Sequence, residues 1–79
     1  MSTTKRIMRY ISTELLHGNP YYGDPLATGV IDSLRMEQLI GWIEHDFKIR
    51  FEDEDLLPEH FSRLDALVAL VDTKQGNPS

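Results

Sequence analysis

Met36, Leu39, Ile40, Ile43 and Phe47 stand at i, i+3, i+4, i+7 and i+11, the spacing of one apolar face of an α-helix. This is the strongest amphipathic pattern in the chain, and a helix built on it needs partners to cover that face. Two further stretches supply them. Ile7, Met8, Ile11 and Leu15 fall at i, i+1, i+4 and i+8, and Leu64, Leu67, Val68 and Val71 form the inward face of a last helix. With 79 residues in all, these faces must share one core, because smaller pieces could not bury cores of their own. There is no Cys to staple that core, so packing alone holds it.

The order along the chain follows. A helix is expected over residues 4–17, ended by Gly18-Asn19-Pro20. Residues 21–32, with Gly23, Pro25 and Gly29 and no period, read as a long loop. Loops of about 12 or more residues in a small domain are often functional. The second helix begins at Asp32-Ser33, with Asp32 suited to accept backbone N–H bonds as N-cap. Residues 48–51 read as extended, and Pro58 suits the first position of a short helix. Ser62 with Asp65 resembles a capping box for the last helix, and the polar tail 73–79 is expected to fray. The expected architecture is all-α: a single domain, 1–79, with its ordered core over about 4–72. It is a four-helix bundle of three main helices and one short one, with a long first loop.

The formal charge of −5 opposes nucleic-acid binding, which calls for a basic face. No apolar run approaches the roughly 20 residues that span a bilayer. The opening residues Met1 to Arg6 lack the apolar stretch of a secretion signal. The expectation is a cytoplasmic chain with no membrane and no nucleic-acid partner. His17, His45 and His60 are far apart with no i, i+4 pairing and no Cys beside them, so no metal site is expected. A calcium loop counted from Asp53 would need Gly and Glu where Pro58 and Leu64 stand. Ser33 lacks the glycine-flanked strand-to-helix turn of a hydrolytic serine, and no enzymatic activity is expected of the chain itself.

The informative stretch is Gly29-Val30-Ile31-Asp32-Ser33-Leu34. A serine in the first turn of a helix is ordinarily a cap and nothing more. Here it follows a long loop, so its hydroxyl should be exposed. A phosphate esterified to it would meet the free N–H groups and positive end of the helix. At about 100° per residue, Leu34 lands almost opposite Leu39 and Ile40 and is expected to face solvent. Gln38, Gly41 and His45 share that outer face. An exposed Leu on so regular a pattern suggests a docking surface. Trp42, on its flank, either belongs to that surface or packs beneath the first loop.

Asp32-Ser33-Leu34 resembles the Asp-Ser-Leu attachment motif of the acyl carrier protein family. The similarity runs from about Asp24 to Val71, including Ile43-Glu44-His45-Asp46-Phe47 and Phe61-Ser62-Arg63-Leu64. The resemblance implies a monomeric carrier, itself not catalytic. A phosphopantetheinyl transferase would join 4'-phosphopantetheine covalently to Ser33, within a motif that includes Asp32. The arm's thiol would then hold an acyl thioester, loaded by a ligase or transferase and presented to synthase and tailoring enzymes. Partner docking would fall to Leu34, Arg35, Gln38, Trp42 and His45. Fatty-acid synthesis members usually carry acids where this chain has Arg35 and Gln38. Gly-Val-Ile-Asp-Ser-Leu, Trp42-Ile43-Glu44 and Leu57-Pro58-Glu59-His60-Phe61 are more similar to discrete carriers of polyketide and nonribosomal pathways, which form antibiotics and other secondary metabolites. Two alternatives stay open: an aminoacyl or peptidyl carrier, and a helical interaction module that is never modified.

Overall fold

The first helix starts where Ser2, in extended conformation, turns its Oγ to accept the Lys5 N–H at 3.2 Å. A computed structural model describes residues 2–76, and these contain helices, turns and irregular segments but no strand. Helix α1 spans Thr3–Tyr10 and passes directly into a π-helical turn, Ile11–Leu15. Its signature is the Leu16 N–H reaching the Ile11 carbonyl at 2.9 Å. In an α-helix, side chains four apart drift by about 40° per step. The wider turn offsets that drift, so Ile7, Ile11 and Leu15 all stay buried. Gly18, at φ 79°, and His17, at φ 53°, then reverse the chain in the left-handed region. The helix expected over 4–17 therefore stops at Leu15.

Residues 16–32 hold no helix, yet Leu16, Pro25, Leu26 and Ile31 are buried. Asp24 organises this segment. Its Oδ1 accepts the Leu26 and Ala27 N–H groups at 2.9 and 3.2 Å, which closes a turn after the Asp-Pro pair.

Helix α2, Ser33–Phe47, carries the apolar stripe inward: Leu39, Ile43 and Phe47 are buried, and Met36 and Ile40 half-buried. Lys48 ends it in the left-handed region, with the Ile49 N–H returning to the Glu44 carbonyl at 3.1 Å. The acidic run folds into a 3₁₀ turn, Asp53–Asp55. Asp55 Oδ2 accepts the Glu52 N–H at 2.8 Å and the Lys74 Nζ at 2.7 Å. Helix α3, Pro58–Phe61, has its proline at the first position.

Helix α4, Leu64–Lys74, corrects one expectation. Its N-cap is Arg63, which offers no side-chain bond, and the Ser62 and Asp65 capping box does not form. Asp65 instead pairs with Arg63 at 2.8 Å. The cap comes from across the molecule, where Asp24 Oδ2 accepts the Leu64 N–H at 2.8 Å. The helix runs into the stretch expected as the polar tail. Thr73 and Lys74 are helical, Thr73 Oγ1 donates to the Ala69 carbonyl at 2.9 Å, and residues 77–79 lie outside the described residues.

Contacts fix the helix directions. Thr3 Oγ1 donates to Asp72 at 2.8 Å, joining the start of α1 to the end of α4. Arg6 pairs with Asp46, near the end of α2, while Arg35 at its start bonds the Leu15 carbonyl at 2.9 Å. Helix α2 thus runs antiparallel to α1 and its π turn, the end of α4 lies beside the start of α1, and the shared core is aliphatic, with Phe47 as its aromatic member.

Candidate functional site

Ser33 occupies the first position of α2 and is exposed. Asp32 before it is extended, and its Oδ1 accepts the Arg35 N–H at 2.8 Å while its carbonyl takes the Met36 N–H at 2.8 Å. The cap is satisfied by Asp32, so the Ser33 hydroxyl is not needed for it. The Ser33 and Leu34 N–H groups have no protein acceptor among the described residues. They and the positive end of the helix point outward beside that hydroxyl. The residues therefore fit an anionic phosphodiester on Ser33: a free hydroxyl, unpaired donors and a rigid helix under them. Asp32 is the one carboxylate in the motif, and Arg35 Nη1 lies 3.4 Å from its Oδ2.

Leu34 is 64% exposed, turned away from the buried Leu39. Gln38, Gly41 and His45 lie exposed further along α2. Arg35 is more committed: its Nε donates to Leu15, capping an orphan carbonyl at the end of the π turn. Its guanidinium both holds α2 against the π turn and lies near the site. Trp42 is half-buried and packs on α1, not beneath the first loop. Its ring stacks on Tyr10 with centroids 4.2 Å apart and planes at 11°, and it meets the Phe47 edge at 5.7 Å. Arg6 covers the same Phe47 ring, 4.1 Å from its centroid.

Tyr10 and Trp42 line an open groove between α1 and α2 with Arg6, Arg9, Thr13, Glu14 and Asp46. Burial, then the neighbouring Glu14 charge, pushes the Tyr10 phenol above its usual range. The structure thus gathers Asp32, Ser33, Leu34 and Arg35 at the head of α2 and sets Trp42 apart in this groove. Sequence reasoning missed Tyr10 and Asp24. Asp24 carried a usable signal, an Asp-Pro pair that starts a turn, whereas nothing local marks Tyr10 as the partner of Trp42.

Among the described residues no three His, Cys, Asp or Glu side chains gather as a metal site, and no helix is long and apolar enough to cross a membrane. Comparison of the chain with protein-family models, curated proteins and solved structures finds no match.

Proposed function

We propose that this chain is a carrier protein, a four-helix bundle with a long first loop, whose Ser33 hydroxyl takes 4'-phosphopantetheine as a phosphodiester. The observation that carries this reading is the spare, exposed hydroxyl at the first position of α2, beside unpaired N–H groups and behind an Asp cap. The arm supplies a thiol on which an acyl group travels as a thioester. The chain's own residues orient and expose the attachment point. Asp32 fixes the first turn, Arg35 ties that turn to the end of the π turn, and Leu34 offers apolar surface to an enzyme that must reach Ser33.

The work is that of a cytoplasmic monomer passed between a transferase, a loading enzyme, and synthase or tailoring enzymes in secondary metabolism. Small transient contacts suit such a shuttle. The test is incubation with coenzyme A, magnesium and a broad-specificity phosphopantetheinyl transferase, followed by intact mass. Gain of one phosphopantetheinyl group, localised to Ser33 by fragmentation, is the expected result. An unchanged mass, with a known carrier modified in the same reaction, refutes the reading in favour of an unmodified interaction module.

A further inference from the structure

Ser33 sits at the end of a helix-free segment, and such a segment would ordinarily move independently of the helices around it. Here one side chain ties it to them. Both carboxylate oxygens of Asp24 are in use, and on different parts of the molecule. Oδ1 accepts Leu26 and Ala27 N–H within the segment, and Oδ2 accepts Leu64 N–H at the first position of α4, 40 residues away in sequence. The α4 start has no other side-chain cap, and the Thr28 N–H closes on the Asp24 carbonyl at 3.0 Å, so the turn and the helix start share one anchor. Beyond it Pro25, Leu26 and Ile31 are buried, which hands the constraint along to Asp32 and Ser33.

We infer that Asp24 is a positioning residue for chemistry at Ser33: its two-sided carboxylate latches the segment leading to Ser33 onto the start of α4, so that segment and helix end open together or not at all. Latch opening costs the transferase its target geometry. A protein whose competent state is only fractionally populated binds with an affinity reduced by that fraction, while the rate once bound is unchanged. The latch therefore acts on KM, not on kcat.

Asp24→Asn is the decisive variant. Its amide has one acceptor oxygen, which can serve the turn or the α4 start but not both. If Asp24 only made a local turn, Asn would replace it without loss, since Asn closes such turns equally well. The experiment has two arms. The first, amide hydrogen exchange on the unmodified protein, depends in no way on the carrier reading. Asp24→Asn should speed exchange at whichever place its single oxygen gives up, Leu26 and Ala27 or Leu64, and Asp24→Ala at both, while the amides of Leu39 to Ile43 keep their protection. Exchange unchanged at both places in Asp24→Asn, or unchanged at Leu64 in a folded Asp24→Ala, overturns the latch. The second arm rests on the proposed function: arm transfer to Asp24→Asn should show KM raised about fivefold with kcat kept. A fall in kcat alone removes the positioning role. Failure of the wild type to accept an arm refutes the carrier reading but leaves the exchange result to judge the latch. Asp24→Ala, which loses both sides, should exceed Asn in exchange rate. If it melts, Asn still decides.

Discussion

Leu34 and Leu39 lie on the same helix, five residues apart, in opposite environments. Leu39 is fully buried, whereas Leu34 is 64% exposed. Truncating a core leucine to alanine typically costs about 2–5 kcal/mol. A domain of 79 residues has about 4–12 kcal/mol in total at the usual margin per residue. Leu39→Ala therefore removes a large part of the stability. Only about a third of the Leu34 side chain is covered, so at about 1.5–3 kcal/mol for full burial the loss stays under about 1 kcal/mol, and the better helix propensity of Ala offsets part of it. In a domain this size 1 kcal/mol shifts the melting midpoint by about 4–8 °C. Circular-dichroism melts of the two variants should thus separate by more than about 4 °C, with Leu34→Ala close to wild type. Transfer of the arm to Ser33 at limiting carrier concentration should rank them the other way at a temperature where both are folded. An anchor at a small interface is worth about 2 kcal/mol or more. Equal losses of stability in the two variants would place Leu34 in the core and refute the assignment of that surface to docking.

Ser33→Ala should melt within about 1 kcal/mol of wild type, because Asp32 makes the cap, and should gain no mass with transferase and coenzyme A. Trp42→Ala should lose the contribution of the Tyr10 stack, about 0.5–1.5 kcal/mol beyond the apolar area removed; a Tyr10→Ala, Trp42→Ala double-mutant cycle that proves strictly additive would deny the coupling. The Lys74 ammonium, then the Glu52 N–H, hold the Asp55 carboxyl below the usual carboxylate range. A depressed folded-state value stabilises above the unfolded pKa and is lost as pH falls through the folded one. The melting-temperature advantage of wild type over Asp55→Asn should therefore shrink on acidification below the ordinary carboxylate range, and an advantage that grows there would contradict the assignment. Seen from Lys74, whose value the same hydrogen bond raises, the stabilisation fades only as pH rises beyond the ordinary lysine range.

What was legible in the sequence was whatever depends on neighbours in sequence. The inward stripe of α2, Asp32 as its cap and Pro58 at the head of α3 each follow from local spacing and backbone chemistry, and each is present. The α4 start was misread for the same reason. Ser62 and Asp65 satisfy the local grammar of a cap, but Asp24 reaches Leu64 from 40 residues away, and a through-space acceptor leaves no mark near the helix it caps. The π turn was hidden because Ile7, Ile11 and Leu15 fit either helical geometry. Trp42 was ambiguous because its stacking partner lies on α1, which no projection of α2 alone contains. At the candidate site, the position of Ser33 was readable, whereas the commitment of Arg35 to the Leu15 carbonyl needed the helices brought side by side.

The hydrogen bond from Thr3 to Asp72 has a consequence for attachment. It sets the start of α1 beside the end of α4 at one pole, while the bond from Arg35 to Leu15 puts the head of α2 at the other. Between the poles lies the length of α1 with its π turn, about 20 Å at the helical rise. A tether, label or neighbouring domain joined ahead of Thr3 or beyond Lys74 would hang from the side opposite Ser33. It would leave the serine's approach open from either end of the chain, and a fluorophore there would report distance to an arm on Ser33 without standing in its path.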